Sequence, residues 1–543
     1  MPSVSPRSQL WTHDVENQPG PRLSADLWAE DRPLSEAASA AGARVDDLAR
    51  AGRLLGSAEM DAAGNEARRD KPRLVLFDQA GRRLDEVAFN PAYHQLMQTG
   101  IELGYAADAW DGRPGGQVTH AALVYMLSQV EPGVCCPLTM TYAAVPALAA
   151  DPAQEALWRP RLTARAYDPT IRPVADKGGA TLGMAMTEKQ GGSDLRSNST
   201  RAERDGDAYR LTGHKWFCSA PMSDGFLTLA QAPDGLTCFL VPRWLEGERN
   251  GIRIQRLKDK MGNHANASSE IEYEQALAHR LGDEGAGVRT ILEMVHHTRL
   301  DTAMAPAGLM RAALTEAHWW VTGRSAFQRK LIDQPLMRAV LADLALDWEG
   351  ATALGFWVAA LFERGDSDGR ALARIAVALA KFLSNKRCVG VIAEAMEILG
   401  GVGYVEETRM PMLYREAPLN GIWEGSGNVI CLDILRTLHR EPLAGEALNA
   451  ILEQAKGADA QFDAALKAHR TRWPGLPTEG EARWFAESLA SLLTAAVLMQ
   501  TAPSAIVSGF IATRLTAGCG FIAGATGNLD AAPLLARLEP AVR

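Results

Sequence analysis

The hydrophobic pattern of this chain changes its period twice, and that change constrains the fold more than any other sequence feature. From about residue 181 to 285 the apolar residues fall in short alternating runs. In the run from 269 to 274, Ile271 and Tyr273 share one face and glutamates occupy the other. A period of two is that of a half-buried strand. The sequence therefore predicts a β-domain in the middle of the chain.

Helical periodicity lies on both sides of that β-domain. Ala122, Leu123, Met126 and Leu127 recur as they would on one face of a helix, and the same spacing returns after the β-domain and again in the last hundred residues. We predict four segments: an N-terminal α-domain (1–180), the β-domain (181–285), a helical domain (286–440) and a helical C-terminal extension (441–543).

Composition limits the class of protein. At 543 residues the chain exceeds the roughly 250–300 residues that one core usually supports, so several domains are expected. Hydrophobic residues make up 47% and charged residues 22%, which is typical of a soluble globular protein. A net charge of −9 gives no overall attraction to nucleic acid or to an anionic membrane, so any contact with DNA must be local.

Cysteine use and the N-terminus predict a cytoplasmic protein. The seven cysteines are scattered and form no C-x-x-C pair, which indicates reduced thiols rather than disulfides or zinc. The first twenty residues are polar and contain no apolar h-region. The apolar run from 489 to 512 is interrupted by Gln500 and Pro503, which favours a pair of bundle helices over a membrane span. His296 and His297 lack metal-ligand spacing.

The stretch from Ala185 to Ser197, AMTEKQGGSDLRS, combines the residue types of a cofactor loop. Gly191 and Gly192 let the backbone approach a ligand closely. Thr187 and Ser193 offer hydroxyl groups as hydrogen-bond partners. Such a loop suits the polar edge of a flavin ring. The alternative is an ordinary Gly-Gly-Ser turn capped by the aspartate that follows.

The longer pattern around this loop resembles the first signature of the acyl-CoA dehydrogenases at every fixed position. GHKWFCSA (213–220) is similar to the family's second flavin-contacting strand, in which an aromatic residue flanks the ring and a hydroxyl two places on bonds its reactive edge. The family usually has Trp at the position of Phe217. The resemblance implies FAD, with these contacts in the two motifs: Met184, Met186, Thr187, Gly192, Ser193, Phe217, Cys218 and Ser219.

GRSAFQRKLIDQ (323–334) resembles the family motif in which an Arg and a Gln reach the pyrophosphate and adenine half of a neighbouring subunit's FAD. Arg324 and Gln334 hold those places. A guanidinium can bind phosphate oxygens in a fork, and an amide can satisfy polar edges. Gln328 stands where the family usually has Gly after Phe327, so the resemblance does not define the local turn. The alternative is a solvated helix face.

The segment LNGIWEGSGNVICLDILR (419–436) carries the chemistry that the resemblance implies. The family's base lies in a Tyr-Glu-Gly-Thr element, which Trp423-Glu424-Gly425-Ser426 matches with two conservative changes. A carboxylate beside Trp and before Gly can be both desolvated and uncrowded, as a base facing a flat thioester requires. Taken alone, such a Glu is more often a surface residue in a turn. Arg436 is expected to pair with Glu424 or to hold the helix in place. The further cofactor contacts implied here are Ile422, Trp423, Gly425, Ser426 and Asn428.

Together the motifs predict an α+β multidomain fold of the acyl-CoA dehydrogenase type. The resemblance implies an N-terminal α-helical domain, a central β-barrel domain, a C-terminal four-helix bundle and, beyond the family's usual length, a helical C-terminal extension. TEKQGGSD, RLKDKMGN and IWEGSGN suggest the AidB-like subgroup, flavoproteins of the bacterial response to alkylating agents. The implied reaction is α,β-dehydrogenation of an acyl-CoA thioester in a homotetramer, with Glu424 removing the α-proton.

Two other functions remain open from the sequence. The AidB-like resemblance implies non-specific binding of double-stranded DNA, which the flavoprotein would protect or repair. The candidate contacts are the small basic group Lys467, Arg470 and Arg472. From residue 441 onward ten acidic residues outnumber eight basic ones, so the extension is not a basic arm. The third function is a catalytically silent scaffold that retains the flavin.

Overall fold

A computed structural model describes residues 7–20, 22, 24–527 and 529–541. The N-terminal region is helical, with one β-hairpin inserted after the third helix. Asn90 and Asp151 cap two of these helices by accepting hydrogen bonds from first-turn N–H groups, as short polar side chains do at helix starts. The elements are α1 (Arg32–Ala40), α2 (Val45–Leu55), α3 (Ala58–Arg69), β1 (Arg73–Phe77), β2 (Arg83–Ala88), α4 (Pro91–Glu102), α5 (Gly116–Ser128), α6 (Pro132–Leu148) and α7 (Pro152–Leu162).

The β1–β2 hairpin was not predicted from the sequence. It packs against the middle domain, where Arg83 Nη2 donates to the Ile254 carbonyl at 2.9 Å and Asp85 Oδ1 accepts from the Ile254 N–H at 2.8 Å. The hairpin therefore joins the N-terminal region to the β-domain. Its short apolar run Leu74–Phe77 is too brief for periodicity to separate strand from helix.

The middle of the chain is the predicted β-domain. Its main sheet runs β10-β11-β5-β4-β6-β3, and β7 pairs with both β11 and β6, so the sheet closes on itself as a small barrel. Ile271 and Tyr273 of β11 are buried and Glu272 and Glu274 are exposed, as the alternation predicts. Glu270 departs from it, because this glutamate is buried and accepts from Lys258 Nζ at 2.6 Å. The strands are β3 (Leu182–Ala185), β4 (Arg201–Asp205), β5 (Ala208–Ser219), β6 (Gly225–Ala232), β7 (Gly235–Pro242), β8 (Trp244–Leu245), β9 (Glu248–Arg249), β10 (Ile252–Leu257) and β11 (Ser268–Leu281).

A helical bundle follows the barrel. Three long helices pack on one another, and the predicted base lies in the loop just before a shorter helix. Ile375 and Leu379 are fully buried, as their helical spacing predicts, whereas Leu336 lies near a helix start and is largely exposed. The elements are α8 (Gly287–Gly323), β12 (Ser325–Ala326), β13 (Arg329–Lys330), α9 (Pro335–Phe362), α10 (Ser367–Ile398), α11 (Met410–Glu416) and α12 (Gly427–Arg440).

The C-terminal extension folds back onto this bundle. Arg514 forms ion pairs with Asp343 at 2.7 Å and Asp347 at 2.8 Å, both on α9. One described helix, residues 479–501, is long and apolar enough to cross a membrane, but 72% of its apolar window is buried within the protein, as in a core helix. The helices are α13 (Pro442–Ala455), α14 (Ala460–Arg472), α15 (Ala482–Thr501), α16 (Ser504–Phe510) and α17 (Ala531–Leu535).

Candidate active site and flavin cleft

Glu424 lies in the tight connection before α12. Its own φ is +58° and that of Gly425 is +101°, so two successive residues have left-handed backbone conformations. For Glu this conformation is uncommon and costs free energy, which the surrounding contacts must offset. The side chain is half-buried, and one carboxylate oxygen accepts a hydrogen bond from Thr298 Oγ1 of α8 at 2.7 Å. The loop thus presents a single carboxylate in a defined orientation.

The protein around Glu424 increases its basicity. Burial raises the pKa of Glu424 above its ordinary value, and the Thr298 hydrogen bond and the charges of Lys381 and Arg299 oppose that rise. A carboxyl whose pKa rises toward neutrality is a better proton acceptor than a surface glutamate. Glu424 therefore has the electrostatic character of a general base.

Lys381 stabilises the same loop by hydrogen bonds to its backbone. This α10 lysine is almost fully buried, and its Nζ donates to the Asn420 carbonyl at 2.9 Å and the Gly425 carbonyl at 3.0 Å. Burial lowers the pKa of Lys381 to about 7, although the negative charge of Glu424 acts in the opposite direction. The lysine ties together the two carbonyls that flank the base.

A buried ion-pair cluster anchors the helices on both sides of the base. Arg299 Nη1 of α8 is 2.6 Å from Asp433 Oδ2 of α12, and Arg374 of α10 binds both oxygens of the same carboxylate at 3.0 and 2.9 Å. Burial alone would raise the pKa of Asp433, but the two guanidinium groups hold it at about 2. Arg299 Nε also lies 3.4 Å from the Glu424 carbonyl oxygen. α8, α10 and α12 are therefore locked around one loop.

The prediction that Arg436 pairs with Glu424 is wrong. Within the described residues its ion-pair partner is Asp433, at 3.9 Å and one helical turn away, and the Arg436 side chain is 62% exposed. After Gly427 the helix geometry turns position 436 toward solvent, away from the loop. Arg299 takes the position near the base that the sequence assigned to Arg436. The alternative role for Arg436, holding the helix, is limited to this exposed contact.

The second flavin-like motif forms the end of β5. Phe217 is 48% exposed, Ser219 is half-buried, and Ser219 Oγ lies 3.2 Å from Ser268 Oγ on the paired strand β11. Cys218, predicted as a cofactor contact, instead points into the barrel core and is fully buried. Successive side chains of a strand face opposite sides, so only the backbone of Cys218 can face the cleft.

The first motif forms the loop that follows β3. Met184 and Met186 are half-buried, Thr187 O accepts from the Trp216 N–H at 2.8 Å, and Ser193 is exposed. A Cβ placed on Gly192 would stand 2.4 Å from Thr187 Oγ1, so the loop needs glycine there. The aspartate after Ser193 also caps a short 3₁₀ turn, as the plain-turn alternative expects.

A buried ion pair underlies this loop, and its role was not predicted from the sequence. Glu188 and Lys215 are fully buried, with Oε1 and Nζ 2.8 Å apart. The Glu188 carboxylate also accepts from the N–H and hydroxyl groups of Ser199 and Thr200 at 2.6 to 3.1 Å. Although burial opposes ionisation, Lys215 and these donors hold the pKa of Glu188 well below its usual range. The pair fixes the first motif onto the second.

The base loop and the end of β5 face one space. The Cys136 thiol of α6 lies beside both Ser219 and Asn266 and is close enough to Glu424 to respond to its charge, and burial raises its pKa to about 12. Trp423 packs into the same apolar cluster as Met184 and Met186, and its Nε1 donates to Asn420 Oδ1 at 2.8 Å. The predicted contacts from three motifs therefore converge on one cleft.

The cleft fits a flat, partly apolar cofactor. Phe217 and Ile422 expose 48% and 63% of their apolar surfaces, which a stacked ring system would cover. Within the described residues, Asn266 Oδ1 is buried and has no hydrogen-bond partner, so a ligand donor could satisfy it. Gly425 is half-buried in the loop, and Ser426 and Asn428 are exposed at the start of α12, where N–H groups are free to bind polar ligand atoms. The residues present fit a flavin.

Arg324 and Gln334 lie apart from that cleft, on either side of the β12–β13 hairpin. Arg324 Nη1 donates to the Asn17 carbonyl at 2.9 Å, and Gln334 Nε2 donates to the Ala326 carbonyl at 3.1 Å. Phe327 and Gln328 both have positive φ, as a two-residue type I′ hairpin turn requires. The motif forms a projecting turn rather than a helix face, even though Gln328 replaces glycine.

Other features of the described residues lie outside this cleft. A cavity of about 1090 Å³ is lined by Trp319, Trp320 and Arg409 and includes neither Glu424 nor Ser219. We place the site at the cleft because reactive groups and perturbed pKa values converge there, whereas the cavity is distinguished by its volume alone. No group of three or more His, Cys, Asp or Glu side chains in the described part of the chain is arranged to hold a metal ion.

The basic group of the extension is largely neutralised. Arg470 forms an ion pair with Glu453 at 2.5 Å, and Arg472 with Glu481 at 2.7 Å. Arg472 also stacks on the Trp484 ring, 3.7 Å from its centroid. Lys467 is exposed. The three predicted DNA contacts are therefore close in space, but two of them already bind carboxylates.

Comparison with known domain families matches the same architecture. Residues 17–169 match the adaptive response protein AidB N-terminal domain, residues 183–276 the acyl-CoA dehydrogenase middle domain, and residues 285–439 the acyl-CoA dehydrogenase C-terminal domain. These matches agree with the architecture described above and show that the chain belongs to the acyl-CoA dehydrogenase family. Members of this family are FAD-dependent oxidoreductases.

Within the family the chain is of the AidB type. It is 47% identical over 464 residues to the putative acyl-CoA dehydrogenase AidB of Escherichia coli (strain K12), covering 84% of this chain and 86% of that protein. The solved structure of Bd2924 in its apo-form is similar with a TM-score of 0.81 and 30% identity, over 89% of this chain and 99% of that one. Caenorhabditis elegans ACDH-11, solved in complex with C11-CoA, is similar with a TM-score of 0.83 and 27% identity, over 93% of both chains.

Proposed function

We propose that the protein oxidises an acyl-CoA thioester at its α and β carbons, with Glu424 as the general base. Glu424 takes the α-proton, and the bonding electrons left on carbon form the new double bond as the β-hydrogen departs with its electron pair. FAD, when bound, supplies the acceptor for that hydride. The likeness to ACDH-11, whose structure holds C11-CoA, supports an acyl-CoA as the substrate class.

The observation that carries this proposal is the geometry of the base loop. The loop holds a carboxylate of raised pKa, and the adjacent Trp423 packs in the same apolar cluster as Met184 and Met186 of the first motif. A base needs an orientation as well as a pKa, and Thr298 and Lys381 supply the orientation. The strained backbone at Glu424 supports a functional role for this carboxylate.

The activity can be tested with a panel of short, long and branched acyl-CoA thioesters. Purified, FAD-loaded protein is mixed with each thioester while the visible absorbance of the flavin is followed. We expect bleaching with at least one member, because hydride transfer reduces the ring. If dithionite bleached the flavin but no thioester in the panel did, α,β-dehydrogenation would be contradicted.

We also propose that the functional form is a cytoplasmic homotetramer. The projecting β12–β13 hairpin supports assembly, because it carries Arg324 and a Phe327 side chain that is 94% exposed. A neighbouring subunit that packed on this hairpin would bury the Phe327 ring. The same contact would bring Arg324 close to the FAD bound by that neighbour. Sedimentation velocity of the FAD-loaded protein tests the oligomeric state, and a monomer would contradict it.

Association with double-stranded DNA is the alternative function. The match to the adaptive response protein AidB N-terminal domain is the observation that favours it. The net charge of −9 and the carboxylates paired with Arg470 and Arg472 act against it. DNA binding would therefore depend on surfaces that assembly creates.

We expect any DNA binding to be sequence-independent and to fall steeply with salt, because phosphate contacts release counterions. Electrophoretic mobility shifts over a salt series measure this directly. Reversal of the charges of Lys467, Arg470 and Arg472 should weaken binding if they contribute. Absence of binding at low salt would rule the alternative out.

A further inference from the structure

A half-buried lysine lies behind the hydroxyl at the end of β5. Lys260 Nζ is 3.2 Å from Ser268 Oγ and 2.6 Å from the Asn266 carbonyl oxygen. Ser268 Oγ is in turn 3.2 Å from Ser219 Oγ, and the two serines are register partners on β11 and β5. The side chains of Lys260, Ser268 and Ser219 thus form one continuous path that ends at the flavin cleft.

The chemistry of these groups gives the path a direction. An ammonium group can only donate hydrogen bonds, whereas a serine hydroxyl has one hydrogen to donate. Ser268 Oγ accepts from Lys260, which leaves its own hydrogen available for donation to Ser219 Oγ. In that arrangement the Ser219 hydrogen is available to a ligand in the cleft or to the neighbouring Cys136 thiol. Without the lysine, both hydroxyl groups could reverse.

We infer that Lys260 is a positioning residue, which acts through Ser268 to hold the Ser219 hydroxyl as a hydrogen-bond donor toward the flavin and places a positive charge behind it. This inference rests on the proposed function, since it requires the flavin ring to meet Ser219. A positive charge near the ring favours the reduced form, which carries more negative charge, and so raises the reduction potential.

The surroundings of Lys260 keep it charged near neutral pH. Burial lowers the pKa of Lys260 to about 8, and the positive charge of Lys71 lowers it as well. The carboxylates of Glu131 and Glu416 act in the opposite direction. The titratable groups facing Lys260 from the elements packed around it are Glu131 and Cys136 at α6, Glu416 of α11, Lys71 before β1, and His264, whose Nε2 lies 2.9 Å from the Lys260 carbonyl oxygen. The ammonium form therefore predominates at neutral pH and is lost as the pH rises through about 8.

The test measures the reduction potential of the bound flavin in Lys260→Met, Ser268→Ala and Ser219→Ala between about pH 6.5 and 9. Lys71→Met is the matched control, because Lys71 borders the same surface cleft but its side chain is 51% exposed and ion-paired with Asp259. All three site variants should shift the potential to more negative values at neutral pH. Lys260→Met should also lose the extra fall in potential that the parent shows as Lys260 deprotonates. Lys71→Met should keep the potential of the parent at neutral pH, where Lys260 is charged in both proteins.

The outcomes separate this inference from the function beneath it. A parent-like potential and pH dependence in Lys260→Met, together with a shifted potential in Ser219→Ala, would overturn the role of the lysine. If Ser219→Ala also left the potential and the visible spectrum unchanged, the placement of the flavin at Ser219 would be wrong. Should Lys260→Met fail to bind FAD, Ser268→Ala decides the question, because it interrupts the path without removing the charge, and a parent-like potential in it would overturn the inference.

Discussion

At the scale of single residues, the surroundings of Glu424 determine how well its carboxylate can act as a base. The raised pKa of Glu424 comes from burial, while Thr298, Lys381 and Arg299 stabilise its charged form. The three partners allow the carboxylate to be ionised and so to accept a proton. Burial makes it a stronger base than a glutamate on the surface. Removing one stabilising partner should therefore shift its titration in a known direction.

Thr298→Val tests this balance. The substitution removes the 2.7 Å hydrogen bond to the carboxylate while nearly preserving side-chain shape. A hydrogen bond to a charged group contributes about 1.5–3 kcal/mol, and about 1.4 kcal/mol corresponds to one pKa unit. The kinetic pKa of flavin reduction should therefore rise by about one to two units. The pH dependence of the reduction rate, measured by stopped-flow absorbance, reports the shift.

Thr302→Val is the control for that experiment. Thr302 lies one turn further along α8, is equally buried, and donates to the Arg299 carbonyl rather than to Glu424. Its replacement should leave the kinetic pKa at the value of the parent. Equal shifts in the two variants would mean that the effect comes from α8 as a whole and not from the hydrogen bond to the base.

The sequence pointed to Glu424 as the candidate base but not to the residues that support it. Glu424 was identifiable because Trp423-Glu424-Gly425 is contiguous, whereas Thr298 and Lys381 are 126 and 43 positions away and meet it only when the helices pack. One sequence contains no signal for such contacts. The inward orientation of Cys218 was predictable, since strand alternation places it opposite Phe217 and Ser219. The Arg436 prediction failed because proximity in sequence was taken as proximity in space.

At the scale of secondary-structure elements, the β12–β13 hairpin is the feature that most resembles an assembly contact. Its turn places Phe327 and Gln328 at positive φ, which is costly for residues with a Cβ. The sequence left the turn at Gln328 open, and in the structure the hairpin forms with Gln in the glycine position. The β1–β2 hairpin, by contrast, was missed because its apolar run is short.

Arg324→Ala should weaken retention of FAD if the hairpin reaches a neighbouring subunit's cofactor. Loss of a charge-assisted hydrogen bond to phosphate costs about 1.5–3 kcal/mol, which corresponds to roughly a 10- to 100-fold weaker affinity. Equilibrium dialysis with FAD measures this change. Arg289→Ala is the control. Arg289 lies at the start of α8, the helix that ends just before Arg324, and its side chain is 79% exposed. An unchanged FAD affinity in Arg324→Ala would rule out the contact across subunits.

At the scale of the whole molecule, the extension is fastened to the bundle by buried ion pairs. Arg537, just after α17, binds Glu349 of α9 and Glu36 of α1, with its Nη2 2.8 Å from Glu36 Oε2. One guanidinium thus joins the C-terminal end to two other regions. The sequence predicted helices in the extension, but the long-range pairs that dock them could not be read from periodicity.

Arg537→Met should destabilise the protein by about 3–5 kcal/mol, because it leaves a buried carboxyl without its partner. Differential scanning fluorimetry measures the loss, with Arg370→Met as the exposed control.

Burial raises the pKa of Glu349 to about 7, above the value of about 4.5 expected in the unfolded chain. The stability that this group contributes is therefore complete below about pH 4.5 and is lost as the pH rises through 7. The melting temperature of the variant should fall further below the parent's at pH 8 than at pH 5, and a parent-like value at both would contradict the role of Arg537.

The most direct test of the central claim is the rate of flavin reduction in Glu424→Gln. Glutamine nearly preserves the shape of the side chain, so the variant should fold, retain FAD and keep the packing around Trp423. It cannot accept a proton near neutral pH, and general-base catalysis typically contributes 10² to 10⁴-fold. Stopped-flow absorbance with an acyl-CoA that reduces the parent should therefore show reduction at least about 10²-fold slower in the variant. Reduction at the rate of the parent would contradict the assignment of Glu424 as the base.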